Sequence, residues 1–195
     1  MKRAFDIMVS LSGLVVLLPL FLAAAMAIKL DSRGTIFFRQ TRVGKGFRPF
    51  QIYKFRTMLQ GAERMGGQIT VGEDPRITRP GRFLRKTKID ELPQLINVLS
   101  GEMSLVGPRP EVPKYVELFR SDYEEILKIR PGITDLASIK YRDEAAILRK
   151  SANPEEEYLT RILPDKMMLA KEYLQRSSFF FDVGVILRTL PRLFV

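Results

Sequence analysis

The chain has 195 residues, with 32 Lys and Arg against 22 Asp and Glu, a net charge of +10, and no cysteine or histidine. These absences exclude disulfide scaffolds, thiol chemistry, zinc fingers and any mechanism with an imidazole base. Acid–base or nucleophilic chemistry must therefore come from Asp, Glu, Lys, Tyr, Ser or Thr, and a bound metal would be a hard ion held by oxygen atoms. The positive charge suits polyanions such as nucleic acid, anionic lipid headgroups or phosphorylated small molecules.

An apolar segment opens the chain. Residues 7–28 are 22 consecutive residues without a charge. As a helix this run would be roughly 33 Å long, against a hydrocarbon core of about 30 Å. Three interpretations compete: a cleaved signal peptide with a small-residue site near residues 23–27, a transmembrane helix, and a re-entrant helix that returns to the face it entered.

Pro19 and the flanking charges bear on this choice. A proline in mid-helix removes a hydrogen bond and bends the axis. Lys2 and Arg3 precede the apolar run, and residues 29–60 carry eight Lys and Arg against a single Asp. A spanning helix is expected to leave one flank poor in Lys and Arg, whereas here both flanks are basic, and this favours the re-entrant form. The greater general frequency of spanning helices favours the spanning form.

The rest of the chain predicts an α/β fold that is mainly helical. Residues 35–58 indicate a β-hairpin, because the second strand alternates in polarity after a Gly-Lys-Gly turn at 44–46. Residues 60–80 are rich in Gly, Pro and charge and indicate a loop. We expect helices over 164–176 and 179–194, the last either in a membrane interface or packed as a core helix.

A helix is also predicted between these regions. Apolar residues recur at helical spacing over 92–99, and Gly101 suits a C-terminal cap. Pro93 is tolerated only in the first turn of a helix. The helix should therefore begin near residues 89–92.

The acidic pair Asp90-Glu91 then lies at the helix N-terminus, where the dipole and free N–H groups favour negative charge. Simple capping is one explanation of such a pair. The cations that precede it favour a second, a phosphate site with an internal carboxylate nucleophile. A further cation, Arg109, stands between two prolines in a rigid turn. The preceding cations are Arg82, Arg85, Lys86 and Lys88.

Several motifs in a fixed order resemble the bacterial sugar transferases, the small monotopic phosphoglycosyl transferases that start glycan assembly on a lipid carrier. They cover the chain from residue 1 to about residue 142. These motifs are Lys2-Arg3 with Asp6-Ile7, Tyr53–Met58, Leu84-Arg85, Asp90–Leu95, Asn97–Leu99, Met103–Pro110 and Arg130–Thr134.

The resemblance implies a ping-pong reaction. Asp90 would attack the β-phosphorus of a UDP-sugar, UMP would leave, and polyprenyl (undecaprenyl) phosphate would then attack the aspartyl phosphosugar. Glu91 would assist in metal or proton handling, with Mg²⁺ held at Asp90 and Glu91 as counter-charge. The implied phosphate and nucleotide ligands are Lys54, Arg85, Arg109 and Arg142.

The resemblance also implies a location and an organisation. Residues 1–30 would be a re-entrant helix broken at Pro19, and residues 31–195 a catalytic domain with interfacial helices at the cytoplasmic face of the bacterial inner membrane. The products would enter exopolysaccharide, O-antigen or other glycoconjugates. A homodimer is compatible with the sequence, and nucleic acid is not an expected partner.

Two places depart from the family pattern. Leu18 stands where the family usually has Ser before the proline, so no hydroxyl can satisfy the freed carbonyl. Residues 135–141 replace a segment that is commonly Gly-x-Ala-Gln-Val-Asn-Gly, although Arg142 is kept. The sugar specificity therefore stays open.

Two other functions fit parts of the sequence. A membrane-tethered nucleic-acid-binding protein would explain the charge, but the basic residues are dispersed and form no binding motif. A secreted interaction protein would follow if the apolar start were a signal peptide.

Overall fold

Helices dominate the structure, a computed structural model that describes residues 1–62, 65 and 74–193. Within these ranges there are two small sheets of two strands each, so the mainly helical α/β class is confirmed. Part of the loop expected over residues 60–80 lies outside the described residues. The end of that segment differs from the expectation, since the third helix already begins at Arg79.

The elements follow one another in this order: α1 Lys2–Val16, α2 Leu18–Asp31, β1 Phe37–Val43, β2 Pro49–Phe55, α3 Arg79–Lys86, α4 Gln94–Ser100, β3 Ser104–Val106, α5 Pro113–Leu118, α6 Arg120–Ile126, β4 Gly132–Thr134, α7 Leu136–Lys140, α8 Glu144–Arg149, α9 Pro154–Glu157, α10 Leu163–Arg176 and α11 Phe179–Thr189. A π-helical turn joins α9 to α10, and short 3₁₀ turns occur at Lys45–Phe47, Ile89–Glu91 and Leu190–Leu193.

The apolar N-terminus is broken into α1 and α2 at Leu17. Pro19 lies in the first turn of α2, where a helix has no use for its missing N–H, so it begins a new helix instead of continuing the old one. Within the described residues no single helix is long and apolar enough to cross a bilayer. By length and composition α1 and α2 together could, with a bend of 60° between them.

The predicted hairpin is confirmed: β1 and β2 pair antiparallel, with Phe37 opposite Phe55 and Val43 opposite Pro49. The buried amide of Asn97 on α4 fastens β2. Its Oδ1 accepts from the Tyr53 main-chain N–H at 3.0 Å, and its Nδ2 donates to the Gln51 carbonyl at 2.7 Å. The register of the strand that carries Lys54 is therefore tied to the helix that follows the acidic pair.

The predicted acidic helix is confirmed with two differences. Asp90 and Glu91 lie on a separate 3₁₀ turn, and α4 begins only at Gln94, because Pro93 has no N–H for a helical bond and serves as the N-cap. Gly101 ends α4 in the left-handed conformation, as expected. The buried face of α4 is centred on Val98, whereas Ile96 is exposed, because α1, β2 and β3 all pack on one side of this short helix.

Both N-terminal helices pack onto the rest of the chain. Buried residues of α2, Ala24 and Ile28, lie in one apolar cluster with Phe55 and Leu84. A second cluster holds Val98 and other buried residues of α4, β3, α10 and α11, and Phe5, Leu14 and Leu17 pack against it. The helices are thus built into the same core as the elements that carry the candidate site.

We expect Asn97→Ala to lower the free energy of unfolding by about 2–4 kcal/mol, because it removes two hydrogen bonds of a buried amide and leaves a partly buried N–H and carbonyl of β2 without them. Thermal unfolding followed by circular dichroism in mild detergent measures this, which suits a chain without Trp. Asn153→Ala is the matched control: it removes the exposed N-cap of α9 and should cost only about 1 kcal/mol. Equal losses for the two variants would contradict the proposed fastening of β2.

Candidate active site

The carboxylate of Glu91 gathers two cations from distant parts of the chain. Lys54 on β2 donates from Nζ to Oε1 of Glu91 at 2.7 Å. Arg109, in the turn after β3, donates from Nη1 to Oε2 at 3.2 Å and from Nη2 to Oε1. Both oxygens of Glu91 are therefore engaged, and the guanidinium grips the carboxylate with two parallel bonds.

These ion pairs control the protonation of Glu91. Burial by itself would raise the pKa of Glu91, but the charges of Arg109 and Lys54 and their hydrogen bonds outweigh it and bring the pKa well below its usual range. In turn, Glu91 raises the pKa of Arg109. Burial lowers the pKa of Lys54 despite the adjacent Glu91. Glu91 therefore remains an anion at neutral pH.

Asp90 lies beside this network, but its carboxylate has a different environment. Its side chain is buried, with the residue 8% exposed, and its Oδ1 has no hydrogen-bond partner among the described residues. Burial, with a smaller contribution from the negative charge of Glu91, raises the pKa of Asp90 to about 6, although Lys54, Arg85 and Lys88 act in the opposite direction. Asp90 is thus a desolvated carboxylate with a free oxygen, an arrangement suited to nucleophilic attack.

Arg85 reaches the site from α3, and a tight contact between α3 and the end of β2 positions it. Arg85 donates from Nε to Oγ1 of Thr57 at 2.9 Å. A Cβ atom at Gly81 would lie 2.1 Å from the Thr57 carbonyl oxygen, so only glycine lets the backbones approach this closely. The guanidinium is half-buried and contributes positive charge at Asp90.

Asp135 is a positioning residue that the sequence did not single out. It is 4% exposed; its Oδ2 accepts from the main-chain N–H of Arg109 at 3.1 Å, and its Oδ1 accepts from that of Ser138 at 2.6 Å. It therefore holds the Arg109 turn against the start of α7. The sequence signal was present, since Asp135 is the first residue of the segment that departs from the family pattern.

The segment that carries Arg142 also reaches the site. Lys88, in a left-handed conformation (φ 57°), connects α3 to the acidic turn and donates from Nζ to the main-chain oxygen of Arg142 at 3.4 Å. Of the expected ligands, the structure thus joins Lys54 and Arg109 directly to Glu91 and brings Arg85 close to Asp90. It connects Arg142 to Lys88 through the main chain.

Mg²⁺ is compatible with this donor set on one condition. Among the described residues, no group of three acidic side chains lies close enough to enclose a metal ion. The unpartnered Oδ1 of Asp90 could serve as one hard oxygen ligand, whereas Glu91 would first have to release a bond to Lys54 or Arg109. Mg²⁺ commonly takes one or two carboxylates and completes its shell with water and substrate phosphates, so the site fits it once a diphosphate is bound.

Comparison with known proteins agrees with the motifs. The pattern of the family described as Bacterial sugar transferase matches residues 1–195. The chain belongs to this family. It is 38% identical over 194 residues to the Aeromonas hydrophila UDP-N-acetylgalactosamine-undecaprenyl-phosphate N-acetylgalactosaminephosphotransferase. It is 40% identical over 197 residues to the Caulobacter vibrioides UDP-glucose:undecaprenyl-phosphate glucose-1-phosphate transferase and 34% over 205 residues to the Sinorhizobium fredii exopolysaccharide production protein ExoY.

The lengths of these family members differ. The alignments cover 97%, 98% and 97% of this chain, but 42%, 69% and 84% of the respective relatives. The matched region is therefore less than half of the Aeromonas protein. Two of the relatives carry different sugars in their names, so membership of the family does not identify a sugar.

Substitution of the two acidic residues should change stability in opposite directions. A raised pKa means that ionised Asp90 opposes folding, so this cost grows as pH rises from about 4 through 6. Asp90→Asn should therefore stabilise the protein at pH 8 by about 1–3 kcal/mol, with little effect near pH 4. Glu91 has a lowered pKa and stabilises the fold above its ordinary pKa of 4.5, so Glu91→Gln should destabilise by a nearly constant amount from pH 8 to about pH 5, and by less only below that.

The measurement is thermal unfolding of both variants between pH 4 and 8 in metal-free buffer. Glu117→Gln is the control, because Glu117 pairs with Arg120 at the surface and should change little. Destabilisation by both variants at pH 8 would contradict the assigned charge distribution.

Proposed function

We propose that this chain transfers a sugar 1-phosphate from a UDP-sugar to polyprenyl phosphate, such as undecaprenyl phosphate, and releases UMP. The proposal includes a covalent intermediate on Asp90. Two of the relatives are named as sugar-phosphate transferases that act with undecaprenyl phosphate, which supports the general reaction. The covalent step rests on the site.

The observation that carries the proposal is the contrast between two adjacent carboxylates. Both oxygens of Glu91 accept hydrogen bonds from cations, whereas Asp90 is buried with an unpartnered oxygen and a pKa of about 6. At neutral pH Asp90 is therefore mostly ionised yet poorly solvated. A carboxylate in that state is a better nucleophile than one in water, and nearby cations offset the repulsion from an approaching phosphate.

The two steps balance without water. In the first, an Asp90 oxygen forms a bond to the β-phosphorus of the UDP-sugar, the bond from that phosphorus to the bridging oxygen breaks, and UMP leaves with that oxygen. In the second, an oxygen of polyprenyl phosphate bonds to the same phosphorus and the Asp90 carboxylate leaves. In both steps a phosphoryl group passes between two anionic oxygens, so one cationic site can stabilise both transition states.

The cations have separate tasks in this scheme. Arg109 and Lys54 are held by Glu91 in a fixed arrangement, which prepares positive charge for the diphosphate before substrate arrives. Arg85, held by Thr57, contributes further positive charge at Asp90. Arg142 would contact the nucleotide or sugar from the segment next to Lys88.

Glu91 is better suited to hold cations than to move protons, because an acid with so low a pKa retains almost no proton at neutral pH. When bound, Mg²⁺ would neutralise charge on the diphosphate. Asp90 would supply a ligand, and Glu91 would join it if it released one of its partners. The other groups of the site orient the substrate and exclude water.

We further propose that α1 and α2 form a re-entrant element, because both of its ends are fastened to the same body. At the start of α1, Lys2 donates from Nζ to Asp182 at 2.5 Å and to Tyr173 at 2.8 Å. After the end of α2, Arg56 donates to the Ser32 main-chain and side-chain oxygens at 2.8 and 2.9 Å. A helix that crossed the bilayer would separate these ends by the whole membrane.

The bend supports a shallow insertion. With 15 and 14 residues, the two helices are about 22 and 21 Å long. If their outer ends are level, a 60° bend inclines each helix by about 30° to the membrane plane and puts Leu17 about 11 Å deep. That depth lies within one leaflet of a core about 30 Å thick. The exposed apolar side chains of the pair include Met8, Leu11, Val15, Val16, Leu18, Leu22 and Met26.

Neither alternative function from the sequence is supported by the family membership. The contacts of Lys2 and of Asp6, whose Oδ2 accepts from Ser104 at 2.8 Å, also argue that α1 belongs to the folded domain instead of serving as a signal peptide.

Ping-pong chemistry predicts exchange without the lipid acceptor. Purified protein with UDP-sugar and labelled UMP should return label to UDP-sugar in the absence of polyprenyl phosphate, and mass spectrometry should find a phosphosugar on Asp90. Asp90→Asn should lower exchange and overall UMP release by at least about 10³-fold, because an amide is a poor nucleophile. A panel of UDP-sugars in this assay identifies the sugar.

Asp122→Asn is the matched control, because Asp122 on α6 pairs with Lys171 on α10 and neither residue belongs to the site described above. It should retain near-normal exchange. Lipid-dependent UMP release without any exchange would favour a single direct displacement over the covalent intermediate.

The membrane topology is tested on the natural cysteine-free background. Single cysteines at the exposed positions Ala4 and Arg33 should react with a membrane-impermeant maleimide from the same side of sealed vesicles. Labelling from opposite sides would contradict the re-entrant form. Pro19→Ala should let α1 and α2 join into one straighter helix, because alanine supplies the N–H that a continuous helix needs, so that in part of the population the Ala4→Cys label reacts from the other side.

A further inference from the structure

Helix α3 has an outward face that the proposed reaction does not use. Arg79, Arg82 and Lys86 are exposed and project within about 60° of one another around the helix axis. Phe83 adjoins them and is 61% exposed. One side of a two-turn helix therefore presents three positive charges and an aromatic ring to the outside.

These cations lack protein partners among the described residues. The structure gives no hydrogen bond or ion pair for the side chain of Arg79, Arg82 or Lys86 in the described ranges. Cations elsewhere on the surface are commonly paired, as Lys171 is with Asp122 at 2.7 Å and Arg176 with Glu172 at 2.6 Å. Within the described ranges, the positive charge of this face of α3 is therefore not compensated by the protein.

The opposite side of α3 faces the protein and serves other purposes. Leu84 packs with Ala24 and Ile28 of α2, and Arg85 turns inward to Thr57. The outward cations and the cation of the candidate active site therefore project in different directions from the same helix, so a ligand on the outward face need not be a substrate.

The contact with α2 fixes the depth of this face. In the re-entrant geometry proposed above, Ile28 and Ala24 lie about 2 and 5 Å below the level of the end of α2. A helix packed on these two residues lies near the boundary between headgroups and acyl chains. Cations and an exposed aromatic ring are the side chains that favour this boundary.

We propose that the outward face of α3 binds the headgroups of anionic phospholipids in the leaflet that holds α1 and α2. The face is complementary in charge to a headgroup phosphate, and its exposed aromatic ring, Phe83, suits the same boundary. The proposal rests on the membrane placement given above and is independent of the covalent chemistry. Binding would enrich anionic lipid beside the active site and would weaken with salt.

The test replaces Phe83 with cysteine, labels it with bimane, and reconstitutes the full chain in phosphatidylcholine nanodiscs. Quenching by doxyl-labelled phosphatidylglycerol is compared with quenching by doxyl-labelled phosphatidylcholine at equal mole fraction. We expect phosphatidylglycerol to quench about threefold more efficiently at low salt, since each Lys or Arg near an anionic surface adds to the attraction. The ratio should approach one in high salt and in Arg79→Gln/Arg82→Gln/Lys86→Gln.

A second triple variant removes the same charge from another surface. Lys128, Arg149 and Lys150 are exposed, and Lys128→Gln/Arg149→Gln/Lys150→Gln should keep the phosphatidylglycerol preference. Equal quenching by the two lipids in the parent protein, or equal loss in both triple variants, would overturn the proposal. An absence of quenching by either lipid would overturn it together with the membrane placement.

Two activity measurements test whether the outward face of α3 takes part in the transfer reaction. In phosphatidylcholine nanodiscs the α3 triple variant should show unchanged exchange of UMP and an unchanged KM for polyprenyl phosphate. A raised KM without any phosphatidylglycerol preference would assign the face to the carrier lipid and overturn the proposal. Failure of the reaction itself would appear as missing exchange in the parent protein, while the quenching result would stand by itself.

Discussion

The adjacent carboxylates of Asp90 and Glu91 are both desolvated by the fold, and the positive charge around them is not shared equally between them. Glu91 takes Lys54 and Arg109 into direct ion pairs, whereas Asp90 receives only the longer-range influence of the cations around it. Because burial disfavours an ionised carboxylate without partners, the two pKa values move apart. The pair thereby divides into a fixed anion that organises the site and a strained one that is suited to react.

The remainder of the fold maintains this unequal division. Asn97 fixes the strand that carries Lys54, Asp135 fixes the turn that carries Arg109, and the close contact at Gly81 brings Arg85 toward Asp90. Loss of any of these contacts would let a cation move. The N-terminal helices pack on the same elements, so the geometry of the site and the positions of α1 and α2 depend on the same two apolar clusters.

Lys and Arg side chains serve two proposed kinds of recognition in this protein, that of a diphosphate in the active site and that of lipid headgroups on α3. Cations that face inward are half-buried and held by hydrogen bonds, so their positions are fixed well enough to receive a diphosphate. Cations that face outward on α3 are exposed and unpaired within the described residues, so they can follow a mobile headgroup. Arg85 and Lys86 are neighbours in sequence and belong to different categories only because the helix turns between them.

Local patterns in the sequence determined the hairpin, the helical bias, the break at Pro19 and the identity of the acidic pair, because alternation, proline geometry and adjacent charge act over a few residues. The tertiary structure decided which cation meets which carboxylate. Ion pairing between Glu91 and Arg109 depends on how β2, α4 and β3 pack, and Asp135 acquired its role only when β4 came to lie beside β3. Burial acts on both carboxylates, and the unequal ion pairing made Asp90 unlike Glu91; that pairing is a property of the whole fold that two adjacent acidic letters cannot express.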